Sequence, residues 1–74
     1  MEVNVKLFGD LREGRFEEKT TQLEENSRVI DVIKKHNLPL EDVAICMVNS
    51  HQAEFGQILL NHDTVAFSPP VGGM

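Results

Sequence analysis

Seventy-four residues, 41% of them hydrophobic, describe one small domain of ordinary soluble composition, too short for a second domain or a large enclosed active site. Twelve acidic against seven basic side chains give a formal charge of −5, which argues against a nucleic-acid partner, because phosphate backbones reward clustered Lys and Arg. No apolar stretch approaches the ~20 residues of a membrane span and no signal-peptide pattern opens the chain, so the expected location is the cytoplasm, away from membranes.

Val3, Val5 and Leu7 alternate with Glu2, Asn4 and Lys6, the period of a half-buried strand. Gly9-Asp10 and Gly14 bracket a turn, and Arg15 to about Leu23, polar and threonine-bearing, is expected to return as an edge strand. Ser27 reads as an N-cap, followed by Val29, Ile30, Val32 and Ile33 at helical spacing. Lys34, Lys35 and His36 occupy the last turn, where positive charge suits the carbonyl end of the dipole. Asn37 is suited to a left-handed cap and Pro39 forbids continuation.

Leu40 to Val43 reads as a short turn, and Ala44 to Val48, apolar on both faces, as a central strand. After a turn at Asn49-Ser50-His51, Gln52 to Leu60 is expected to hold a short strand or an irregular crossing, with Gly56 as a breaker. Asn61-His62-Asp63 turns into a final strand, Thr64 to Ser68. The plan is α+β: one main helix packed on one face of a mixed sheet of four to five strands. With no second helix to cover it, the other face is expected to be a docking surface bearing apolar residues such as Met47 or Phe67.

Residues 69–74 are set apart from the domain at 1–68. Pro69 and Pro70 hold an extended backbone and lack N–H donors, so they end the strand and stiffen its exit. Gly72 and Gly73 then supply backbone without Cβ, the form best able to thread a narrow slot. Stiffness followed by slenderness suits a tail that reaches into a partner. Other candidate chemistry is thin. Cys46 is the one cysteine, which excludes an internal disulfide, and it lies in an apolar strand, as expected of a buried inert thiol. His36, His51 and His62 share no ligand spacing, so no metal site is expected. Gly9 and Gly14 lack the Lys-Ser/Thr ending of a phosphate-binding loop. Phe8, Phe16, Phe55 and Phe67 are expected in the core or at an interface.

Two stretches carry a family resemblance: Lys6-Leu7-Phe8-Gly9-Asp10-Leu11-Arg12-Glu13 near the start, and Asn61 through Gly73 at the end, with its turn, strand, two prolines, spacer and diglycine. The chain resembles the ubiquitin-like sulfur carriers of the MoaD/ThiS group, and most of all the small subunit of molybdopterin synthase, whose fold is the β-grasp. The resemblance implies a carrier, not an enzyme on its own, with no cofactor bound. An E1-like adenylating enzyme would use ATP to activate the carboxylate of Gly73, and a sulfur donor such as a cysteine desulfurase or rhodanese would convert it to a thiocarboxylate. A large synthase subunit would then receive the sulfur for molybdopterin, the basis of a molybdenum or tungsten cofactor. Carried over residue by residue, Gly73 is the site of chemistry and Gly72 its clearance residue. Pro69, Pro70 and Val71 would line the partner channel, and Phe67 would anchor the base of the tail.

Met74 follows the second glycine, so the resemblance implies removal of Met74 by a peptidase to expose Gly73. Ser68 stands where the molybdopterin-synthase type often has a second aromatic residue. The alternatives are sulfur carriage for thiamine or another sulfur metabolite, and a ubiquitin-like interaction module or protein modifier. The pairs Glu17-Glu18, Glu24-Glu25 and Glu41-Asp42 would steer the molecule toward a basic partner surface.

Overall fold

A computed structural model describes residues 1–70. The alternating N-terminal run forms strand β1 (Glu2–Leu7), with Val3, Val5 and Leu7 buried on one side. A 3-10 turn at Gly9–Arg12 leads back to β2 (Glu18–Gln22), shorter than the expected return strand. β2 pairs antiparallel with β1, Val3 opposite Thr21 and Val5 opposite Lys19. Phe16, just before it, packs against the core from outside the sheet.

Helix α1 spans Val29–Lys35. Its N-cap is Arg28, not Ser27. The Asp31 carboxylate accepts the Arg28 N–H at 2.8 Å, while the Ser27 hydroxyl turns back to the Glu24 carbonyl at 2.7 Å. An acidic side chain in the first turn thus meets an orphan donor and the positive end of the dipole together. At the other end Asn37 adopts the left-handed conformation, φ 54°, and the helix stops before Pro39, as the sequence requires.

A second 3-10 turn, Leu40–Asp42, precedes β3 (Ile45–Val48). Asn49 and Ser50, both at positive φ, make a two-residue hairpin turn into the short β4 (His51–Gln52). His51 is therefore the first residue of a strand and not part of the turn. Beyond Gln52 the crossing is irregular, tied to the helix start by an isolated bridge between Arg28 and Ile58 and by the Val29 and Ile30 N–H groups, which donate to the Gln57 and Phe55 carbonyls, with Leu59 buried in the core. The last strand, β5, runs Thr64–Ser68.

The sheet order is β2-β1-β5-β3-β4, parallel between β1 and β5 and antiparallel elsewhere. One helix across a mixed five-stranded sheet is the β-grasp arrangement. The strand after the helix, β3, is interior as expected, flanked by β5 and β4, and the middle place belongs to β5. β3 is apolar on both faces because Cys46 and Val48 point to the helix while Ile45 and Met47 lie on a face that no described element covers. Val29, Val32 and Ile33 of α1 close over Val3, Val5, Leu7, Val65 and Phe67 to form the core. Among the described residues, no helix is long and apolar enough to cross a membrane.

Candidate functional site

The candidate site is built on the end of β5. As the middle strand it is held by β1 as far as Phe67 and by β3 as far as Ser68. The Phe8 N–H donates to the Phe67 carbonyl at 3.0 Å, and the Ala44 N–H donates to the Ser68 carbonyl at 2.9 Å. Period two along Thr64–Ser68 sends Val65 and Phe67 into the core and Thr64, Ala66 and Ser68 to the open face. Phe67 is 0% exposed, opposite Leu7 on β1 and Cys46 on β3. It fastens the tail's base from within the core, and its side chain is neither on the open face nor free to touch a partner.

Pro69 follows immediately. With no N–H it cannot extend the ladder, so the strand ends there by chemistry. Pro69 is half-buried and Pro70 exposed. Both border a groove whose other walls are Asp10, Leu11 and Arg15 on one side and Pro39 and Asp42 on the other. Arg15 ties the two sides together, donating to the carbonyls of Leu11 at 3.3 Å and Asn37 at 3.4 Å. Asp10 and Asp42 leave the mouth of this exit with carboxylates on two flanks. Val71, Gly72, Gly73 and Met74 lie outside the described residues.

The open face beside the exit carries Phe8, 46% exposed, with Lys6, Met47, Ser50, Thr64, Ala66 and Ser68 around a shallow depression. Phe8 is the surface residue that the sequence reading left undecided between core and interface. The signal was present: it directly follows the inward Leu7, so alternation sends it outward. Of the two residues named for this face, Met47 is on it and Phe67 is not. Ser68 is on it too.

The remaining chemistry-bearing side chains stand apart. Cys46 is 4% exposed and burial pushes its thiol up to about 11, which removes the thiolate that reactivity needs. His36 caps α1, its Nε2 2.9 Å from the Thr21 hydroxyl and its ring edge-on to Phe16. Burial, then the charges of Lys19 and Lys35, hold it below the usual histidine value. His51 bonds the Asn49 carbonyl, and His62 sits in a turn at φ 73°. Among the described residues no group of three or more His, Cys, Asp or Glu could hold a metal ion.

Comparison with known proteins bears on the same end of the chain. The ThiS family is matched by residues 5–73. No curated protein sequence matches the chain. Among solved structures, SAMP1 from Haloferax volcanii is similar at a TM-score of 0.80 and 22% identity, over 100% of both chains. A putative molybdopterin converting factor, subunit 1, from Pyrococcus furiosus is similar at a TM-score of 0.78 and 28% identity, over 96% of this chain and 99% of that one. A chain of the complex of subunits 1 and 2 of the molybdopterin-converting factor from Helicobacter pylori 26695 is similar at a TM-score of 0.68 and 19% identity, over 100% of both.

Proposed function

Because this chain belongs to the ThiS family, of small non-catalytic sulfur carriers and ubiquitin-like modifiers, we propose that it carries sulfur on Gly73 for molybdopterin synthesis. The observation that carries the reading is the family match itself, which runs through the diglycine to Gly73 and leaves Met74 out. Residues 1–68 are then the body and 69–74 the working tail, which Met74 must leave before Gly73 presents a free carboxylate.

A carboxylate is a poor electrophile. The E1-like partner forms an acyl-adenylate from ATP with loss of pyrophosphate, a persulfide sulfur attacks the acyl carbon, and AMP leaves. Cleavage of the sulfur–sulfur bond by a second thiol leaves a thiocarboxylate on Gly73. That sulfur is the nucleophile within a larger synthase subunit. Bare glycine backbone lets the same atom enter two narrow sites in turn. The likeness to a chain solved within a complex of subunits 1 and 2 supports a second subunit as the receiving partner. The apolar open face around Phe8 and Met47 supplies a dock for such partners, and the net charge of −5 favours a basic rim around it.

The experiment uses the chain ended at Gly73, an E1-like enzyme, ATP and a persulfide donor, read by intact mass. Exchange of one oxygen for sulfur at Gly73 is the expected result. Failure to form any acyl-adenylate refutes the reading. The modifier reading shares the fold with SAMP1 and differs in the acceptor. Ligation to lysine amines in the same mixture selects it, and transfer into a thiazole or another sulfur metabolite selects the alternative pathways.

A further inference from the structure

Gly9 lies at φ +57°, and a Cβ placed there would stand 2.8 Å from Cγ of Pro69 and 3.2 Å from its Cδ. The two residues are sixty positions apart in the sequence, yet the parallel pairing of β1 and β5 ends with Leu7 opposite Phe67, which brings Gly9 against Pro69. The Phe67 carbonyl is held from the β1 side and the Ser68 carbonyl from the β3 side, so the first residue with freedom to change the chain's course is Pro69. The proline ring rests on the one position of the first 3-10 turn that has no side chain.

We infer that Gly9 is a positioning residue, whose bare Cα seats Pro69 and sets the direction in which the chain leaves the sheet at Pro69–Pro70. Any side chain at 9 displaces a rigid ring bonded to the end of a clamped strand. Proline fixes its own φ, so beyond a change of ring pucker the displacement falls on the backbone at Ser68 and Pro69. The activity side of this inference rests on the carrier reading, because a tail that leaves in the wrong direction must be bent to enter the activating partner. Bending is needed for binding and not for chemistry once bound, so it raises KM and leaves kcat.

Gly14 provides an internal control. It also has positive φ, +71°, but nothing lies within 4 Å of an added Cβ. Gly14→Ala therefore carries the left-handed strain alone, Gly9→Ala carries strain plus the clash, and Gly9→Asn carries the clash with a residue that tolerates positive φ. In variants ended at Gly73, the Gly9–Pro69 proton cross-peak is read by NMR in the free protein, and steady-state adenylation is read with the E1-like enzyme. The expected result is loss of the cross-peak pattern and a rise in KM of about tenfold or more in both Gly9 variants, with kcat within about twofold. Gly14→Ala changes neither, although its melting temperature falls. Wild-type KM in Gly9→Asn, or an equal rise in Gly14→Ala, overturns the assignment. If even the unsubstituted chain is never adenylated, the carrier reading fails, and the cross-peak comparison alone decides whether Gly9 seats Pro69.

Discussion

Asp63 is a nearly buried carboxylate that joins two turns at the start of β5, and replacing it tests how that strand is held. One oxygen accepts the Asn49 side-chain N–H at 2.8 Å and the other accepts the Leu60 N–H at 2.8 Å. Asn49 cannot reverse its amide to adapt, because its own oxygen accepts the Thr64 N–H at 2.9 Å. In Asp63→Asn, of nearly the same shape, one of the two donors must face an NH2 group. Hydrogen bonds to charged acceptors contribute about 1.5–3 kcal/mol each, so Asp63→Asn should cost about 2 kcal/mol and Asp63→Ala about 3–4. A domain of this length has a total stability of about 4–11 kcal/mol, so either loss is a large fraction. Urea denaturation at neutral pH, followed by circular dichroism, measures it as a lower midpoint at unchanged slope. An Asp63→Asn protein as stable as the parent would refute the claim that both oxygens are engaged, and with it the account of how β5 begins.

Phe67→Ala empties the centre of the core and should cost about 3–5 kcal/mol, read as a melting temperature lowered toward unfolding. Gly73→Ala, in the chain ended at 73, should leave stability unaltered and reduce sulfur transfer sharply; unaltered transfer would mean that the partner's slot accepts a methyl group. His36 has a folded pKa below its unfolded value of 6.5, so the folded protein binds its proton less readily than the unfolded chain. Its contribution is complete above pH 6.5 and is lost as pH falls from there through the lower folded pKa. The urea midpoint should drop less over that window in His36→Gln than in the parent, and equal drops would contradict the assignment. Cys46, buried and raised to about 11, should resist iodoacetamide at pH 8 in the folded protein and react once urea unfolds it, as mass spectrometry can follow.

Much of this molecule was legible in one dimension. The alternation of Val3, Val5 and Leu7 marked β1 and its inward face, and Thr64–Ser68 marked β5 with the bounds that the structure has. Asn37 and Pro39 marked where α1 ends, because a left-handed cap and a missing N–H act within a turn of backbone. Pro69 ended β5 where the sequence placed its end, since the missing N–H belongs to the residue itself. Ser27 misled because Asp31 competes for the same helix end with a charge as well as an acceptor.

What the sequence by itself determined was the helix and the principal strands with their inward faces, consequences of local backbone preference and of hydrophobic period. Tertiary structure alone decided which strand takes the centre, that both faces of β3 are apolar for different reasons, that Phe67 serves from inside, and that Gly9 meets Pro69. Each of those depends on residues tens of positions apart, brought together because a parallel β1–β5 pair lets one helix cover the apolar sides of both strands at once. No local preference encodes that pairing; the burial of a shared core selects it.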